Sequence, residues 1–180
     1  MEIISLLEAS PPLLIVICTV LGLLVGSFLN VVVYRLPIML QRDWKEQCCE
    51  YLEIENTVPD SNESSAKFKV FNLQKPDSHC PLCNHKIRPW ENIPVFSYLF
   101  LGGKCSSCKS KISLRYPSVE FVSGVMSGLV AFSFGASLLT LALLLFTWSL
   151  IALTLIDFDH QLLPDNITLP LLWLGVMVNT

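Results

Sequence analysis

Apolar positions in this chain come in long blocks. They show neither the three-to-four spacing of a soluble amphipathic helix nor the alternation of a half-buried strand. One block runs from about Leu13 to Val33, a second from about Val119 to Phe134, and a third from Ser137 to Ile156; a fourth opens near Ile167 and is still running at Thr180. A helix needs about 20 residues to cross a hydrocarbon core of roughly 30 Å. The first and third blocks meet that length, the second is short unless Glu120 sits at an interface, and the fourth is incomplete. The pattern predicts an all-α polytopic membrane protein.

Composition agrees: 52% of the 180 residues are hydrophobic, only 15% are charged, and the mean hydropathy is +0.56. Those values exclude an ordinary soluble domain. The N-terminal block is expected to be retained as a helix. Glu2 and Glu8 precede it with no basic residue, it is longer than the apolar part of a signal peptide, and no small-x-small cleavage site follows it.

Charge sets the expected orientation. All twelve lysines and arginines lie between Arg35 and Arg115, although the net charge is only -3. Arg35 and the cluster Lys109, Lys111 and Arg115 flank the first two spans, so the long segment between them is expected in the cytoplasm and the N-terminus outside. The third span then returns to end at Asp157 on the cytoplasmic side. Residues 1–34 read as the N-terminal anchor, 35–117 as a cytoplasmic insertion, and 118–180 as spans two to four.

Within the insertion, residues 41–74 are polar and weakly periodic, with acids from Asp43 to Glu63 and the stretch DSNESSAK, and are expected to form a flexible or weakly helical connection. From Ser78 the text turns rich in Cys, Gly, Pro and aromatics. Cys80 and Cys83 form one C-x-x-C, Cys105 and Cys108 a second, with 21 residues between. Two such turns can present four thiolates to one ion, the closed tetrahedral shell of structural zinc. A small zinc-ribbon-like module over about 78–112 is predicted. Disulfides, a redox dithiol and simple buried thiols are the competing readings; a reducing compartment and the lack of a βαβ pattern count against the first two. His79 and His85 read as loop residues, Cys18 as helix packing, and the adjacent Cys48 and Cys49 as lacking a ligand turn. Because a four-thiolate shell leaves no open position for water, this zinc would hold shape and hydrolyse nothing.

Chemistry is sought instead in LIDFDHQLLPD, Leu155 to Asp165. Asp157 and Asp159 are two apart on a helix and do not face one another, so they are no shared-proton pair; Asp157 and His160 are three apart and can meet. Asp157 ends a run of twenty uncharged residues and is the acid expected to be partly desolvated, hence functional. Asp159 and His160 read as solvated groups past the helix end, and Asp165 as the cap of the fourth helix, with Asn166 as competitor. Glu120 reads either as an acid favoured by a helix N-terminus or as a member of the site. Gly22 and Gly26 suit a close helix contact, with Asn30 nearby for an interhelical hydrogen bond or a substrate contact.

Taken together, GSFLNVVVYRLP, the two C-x-x-C turns, RPWENIPVFSYLFLGGKC, RYPSVE and LIDFDHQLLPD resemble the type IV prepilin peptidases. The resemblance implies a membrane-embedded aspartyl endopeptidase of the bacterial inner membrane. Such an enzyme removes the basic leader of prepilins and pseudopilins on the cytoplasmic side, then methylates the new N-terminus from S-adenosylmethionine. It implies Asp157, which opens I-D-x-D-H, as the first catalytic aspartate and a later G-x-G-D as the source of the second. No G-x-G-D occurs in these 180 residues. The chain is therefore expected to be C-terminally truncated, and these residues alone to lack peptidase activity. No glycine-rich loop marks an S-adenosylmethionine site, and no feature points to nucleic acid. The competing class is a non-enzymatic zinc-bearing membrane adaptor: the missing second aspartate favours it, and I-D-x-D-H at a predicted cytoplasmic helix end favours the enzyme.

Overall fold

A computed structural model describes residues 10–53, 71–75, 77–80 and 82–179. Its elements are α1 (Pro11–Tyr51), a 3₁₀ turn (Pro89–Asn92), α2 (Phe96–Phe100), α3 (Arg115–Phe134), α4 (Leu138–His160) and α5 (Asp165–Asn179). Among the described residues the only β pairing is two isolated bridges, so the mostly helical class read from the sequence is observed. Among the described residues three helices, α1, α3 and α4, are long and apolar enough to cross a membrane.

Local chemistry sets each boundary. Pro11 and Pro12 open α1, where their missing amides would have no helical partner. Ser137 caps α4 by accepting the Thr140 amide at 3.1 Å, and Gly135, at φ 62°, closes α3 in a conformation that disfavours a side chain. The turn between α3 and α4 is thus only Gly135 to Ser137, and it makes the two spans antiparallel neighbours. Gln161 leaves α4 in the left-handed region, its amide bonded to the Asp157 carbonyl at 2.8 Å.

Two expectations change. α1 does not stop near the membrane edge: it runs unbroken through Pro37 to Tyr51, 41 residues in all, so residues 41–51 of the connection expected to be flexible or weakly helical are continuous helix. At 1.5 Å per residue that is about 60 Å, twice the hydrocarbon core. The remainder of that connection, including DSNESSAK, lies outside the described residues apart from 71–75, as do Glu2 and Glu8. Residues 71–75 fold back onto α1: the buried Arg35 donates to the carbonyl of Asn72 at 2.9 Å, and Arg42 lies 5.0 Å over the Phe71 ring. A polar composition therefore coexists with order because two arginines supply the partners. The second change concerns Asp165, which is the first residue of α5 and not its cap. The amides of Ile167 and Thr168 bond to the Pro164 carbonyl, leaving Asp165 in the first turn where the helix dipole favours an acid.

α1 and α3 lie in close contact. Gly22 and Gly26 of α1 face Ser123, Ser127 and the backbone at Glu120, while Gly124 and Gly128 of α3 face Leu23 and Thr19. Small residues on both helices allow this approach, as membrane interfaces require where lipid offers apolar side chains no reason to associate. Trp148 of α4 donates to the Ser127 hydroxyl at 2.9 Å, and Ser127 in turn donates to the Ser123 carbonyl at 2.7 Å. A buried cluster of Leu29, Val33, Val119, Ala152 and Ile156 fills the end near LIDFDH. Cys18 packs with Leu14, Ala131 and Leu144 at the other end, in the packing role expected of it.

A methyl group at position 26 would stand 2.7 Å from the Glu120 Cα and 3.0 Å from the Ser123 Cβ, whereas one at 175 meets nothing within 4 Å. Gly26→Ala should therefore destabilise the folded protein by about 1–3 kcal/mol through overpacking, and Gly175→Ala should leave it within about 0.5 kcal/mol. Thermal unfolding of both variants in detergent micelles measures the difference.

Candidate functional site

The four cysteines of the two C-x-x-C turns converge, with their sulfurs all within 4.8 Å of one another. Two of the separations, Cys80 to Cys108 at 3.8 Å and Cys83 to Cys105 at 3.9 Å, match the edge of about 3.8 Å that a tetrahedron of ~2.3 Å metal–sulfur bonds demands. The donor set is sulfur only and fits zinc. Among the described residues no histidine joins the cluster: His79 Nδ1 lies 3.0 Å from the Asp77 carbonyl, and His85 Nε2 lies 3.5 Å from Glu91.

The geometry comes from one local structure used twice. In residues 78–87 the Cys80 amide bonds to the His85 carbonyl, the Asn84 amide to the Cys80 carbonyl, and the Ile87 amide to the Ser78 carbonyl. In 103–112 the Cys105 amide bonds to Ser110, Lys109 to Cys105, and Ile112 to Gly103. Asn84 and Lys109 occupy the same left-handed position, at φ 54° and 59°. Each unit closes on a bridge, His79 with Lys86 and Lys104 with Lys111. The repeat was legible as C-x-x-C-x-x-K-I, present in both CPLCNHKI and CSSCKSKI, a signal that spacing alone does not use.

Backbone amides of Cys83 and Leu82 aimed at its sulfur bring the Cys80 thiol down to about 6. The His85 amide also lowers Cys83, but desolvation and the three neighbouring sulfurs outweigh it and push that thiol up to about 11. One thiolate opposes the next at such separations, and a divalent cation removes that opposition. Behind the sulfurs, the Arg88 amide and the Ser106 hydroxyl hold the Glu91 carboxyl below the usual carboxylate range. Glu91 thereby joins the first unit to the second.

The module is fastened to the helices by Glu120. This residue is buried, and lies beyond the first turn of α3, so it is not a dipole-stabilised terminal acid. It accepts the Val95 amide at 2.8 Å and the Ser27 hydroxyl. Val95 stands at φ 60°, ψ -48°, with the Phe96 amide bonded to the Pro94 carbonyl at 2.6 Å: a γ turn of the rare positive-φ kind on a β-branched residue. Such backbone costs about 1–3 kcal/mol and persists only where its surroundings fix it. Asn30 completes the contact, donating to the Tyr116 carbonyl at 3.1 Å, in the interhelical role foreseen for it.

At the end of α4 the three aspartates separate. Ile156 is fully buried between the helices, so the next residue, Asp157, turns outward and is exposed, not partly desolvated as the uncharged run before it suggested. Asp159 lies on the other side and is not simply solvated: it takes a bidentate grip from Arg115 at the start of α3, one arm at 2.9 Å. His160 is exposed. Asp157 and Asp159 do not meet, as their spacing requires. The Arg115 pair was missed because its two residues are 44 apart in sequence.

A polytopic helical protein with a four-thiolate module clamped over an acid-bearing helix end is the class that fold and site define. The family model for the bacterial peptidase A24 N-terminal domain matches residues 20–134, and that for the type IV leader peptidase family matches 144–180. The chain belongs to this peptidase family. Its relatives include the prepilin leader peptidase/N-methyltransferase of Stutzerimonas stutzeri, 57% identical over 96% of this chain and 57% of the relative. Those of the same name from Pseudomonas aeruginosa and Neisseria gonorrhoeae are 56% identical over 95% and 51% identical over 96% of this chain. It covers 57% and 58% of their respective lengths, so the chain spans under three-fifths of these relatives. No solved structure matches it.

Cys80→Ser and Cys105→Ser should each lower bound zinc from about one ion per chain to a small fraction, while Cys48→Ser should not. Elemental analysis of purified protein reads the ratio directly. Protons compete for the same sulfurs: Cys80 is held down to about 6, so its thiolate persists at neutral pH and is lost as pH falls through that value. Zinc retention should accordingly decline on acidification, at a pH below that at which the metal-free thiol gains its proton because the bound cation favours the thiolate, and not on a rise from about pH 7 to 8.

Proposed function

We propose that this chain belongs to a membrane-embedded aspartyl endopeptidase of the bacterial inner membrane. It removes the basic leader of type IV prepilins and pseudopilins on the cytoplasmic side. The observation that carries the reading is Asp157: an exposed carboxylate at the end of a membrane helix, following twenty uncharged residues, in a chain of the leader peptidase family. A substrate whose apolar helix stays in lipid while its leader reaches water must be cut at this edge, where water is present.

In this mechanism Asp157 supplies one of two carboxylates that hold the attacking water. One carboxylate, ionised, takes the proton as water adds to the scissile carbonyl; the other, protonated, donates to the leaving amine. No acyl-enzyme is formed. The second carboxylate belongs to the G-x-G-D of the family. The chain's own residues serve Asp157 by holding it: buried Ile156 fixes its side of α4, and Arg115 grips Asp159 two residues on. That ion pair is half-exposed and worth about 0–1 kcal/mol in stability, so its part is orientation.

Zinc on Cys80, Cys83, Cys105 and Cys108 holds the shape of the module. The insertion over 35–117 stands on the cytoplasmic side with the N-terminus outside, and 118–180 begins the catalytic core. The names of the relatives support a second activity, transfer of a methyl group from S-adenosylmethionine to the new N-terminus.

In full-length protein, Asp157→Asn should reduce prepilin cleavage by at least about 10²-fold, followed by gel shift of a purified substrate. Methylation of a pre-cleaved peptide should be retained. Asp165→Asn should leave cleavage nearly intact and cost about 0.3–1 kcal/mol in stability. The reverse ranking of the two variants would show that the wrong carboxylate has been chosen.

A further inference from the structure

Glu120 sets the depth of part of the module. It lies five residues into α3 from Arg115, about 7–8 Å along the axis at the helical rise. Ser27, whose hydroxyl reaches the same carboxylate, lies eight residues from Arg35 along α1, about 12 Å. Arg35, Arg115 and Asp157 mark where charge appears on these helices on the side of the cysteine module. The Val95 amide, bonded to Glu120 at 2.8 Å, is therefore one to two turns inside that ring.

The chain descends to Val95 after Arg88 and Glu91 and returns to charge at Lys104; residues 92–103 carry none. Within this dip, α2 presents Phe96, Leu99 and Phe100 on one face, 57%, 69% and 88% exposed, with Ile93 beside them. The opposite face is occupied: Tyr98 donates to the Ile112 carbonyl at 3.4 Å and covers Gly103. Amides at 95, 96, 97, 99, 101, 102 and 103 have backbone or Glu120 acceptors, so most of the donors in this stretch are satisfied without water. Flanking the dip in sequence are Lys86, Arg88, Lys104, Lys109 and Lys111, with Glu91 and Asp77 as the acids, the latter paired with Lys86 at 2.6 Å, and Trp90 is exposed.

We propose that residues 93–101 form a re-entrant anchor in the cytoplasmic leaflet. Ile93, Phe96, Leu99 and Phe100 enter the boundary between headgroups and acyl chains, and the surrounding lysines and arginine meet anionic phospholipid headgroups. Depth, the uncharged run and the basic rim select the bilayer as what covers this face. The γ turn at Val95 is then the point where the chain reverses, locked by a carboxylate from a membrane helix. This inference rests on the helices crossing a bilayer and not on the peptidase reading.

The test uses full-length, zinc-loaded protein in phosphatidylcholine–phosphatidylglycerol nanodiscs, with a genetically encoded fluorescent amino acid in place of Phe100. Leu145 in mid α4 and Ser107 at the tip of the second cysteine turn serve as reference positions. Lipid bearing a doxyl quencher high on its acyl chain should reduce emission at 100 by about twofold or more, as at 145, while aqueous iodide quenches only 107. A label at Leu99, also outside the packed face, gives an independent reading. Iodide quenching at 100 and 99, with 145 still quenched from the lipid, would place α2 in water and overturn the anchor while leaving the spans in place. Protection from both quenchers would overturn it as well, because protein would then cover the face.

Discussion

Everything in this molecule hangs on how closely α1 approaches α3. In lipid, apolar side chains gain little by leaving one apolar surroundings for another, so two helices associate by packing and by the polar groups they pair. Gly22 and Gly26 bring the backbone of α1 onto Ser123, Ser127 and Glu120, and Gly124 and Gly128 answer from α3. That approach is what lets Ser27 reach Glu120, and Asn30 reach the Tyr116 carbonyl. Without it the clamp on Val95 would have no floor.

The contact also links two parts of the chain with different chemistries. RYPSVE spans only six residues, yet its first side chain grips Asp159 beside Asp157 and its last holds the γ turn below the cysteine module. The module and the helix end that carries the exposed acid are therefore both fastened to one and a half turns of α3. Within the module, each C-x-x-C unit is held by its own backbone hydrogen bonds, and Glu91 joins the two units. A metal drawn to the four sulfurs would stiffen an arrangement that the backbone already prefers.

Legibility in the sequence followed the range of each interaction. The spans were readable because a run of apolar residues is a local property with one physical meaning in a bilayer. The tetracysteine cluster was readable because C-x-x-C turns carry their own geometry, whereas the long uncharged run before Asp157 suggested a desolvation that its outward-facing position does not have. Polar composition misled at 41–51, where helix continues past the membrane. It misled again at Asp159, whose partner lies on another helix, and Asp165 was displaced by one position because Pro164 supplies the capping carbonyl.

By itself, then, the sequence determined the helical class, the three long spans, the four thiolates and their spacing, and membership of the peptidase family through its motifs. Each of these is written in neighbouring residues. Only the tertiary structure decided that Glu120 is a buried clamp, that Val95 is bent into a γ turn, and that Arg115 belongs to Asp159. It also decided that Phe96, Leu99 and Phe100 face away from the module. The reason is physical: a carboxylate, a guanidinium or an aromatic face takes its role from whatever the fold places opposite, and periodicity along one segment contains no record of the segment it meets.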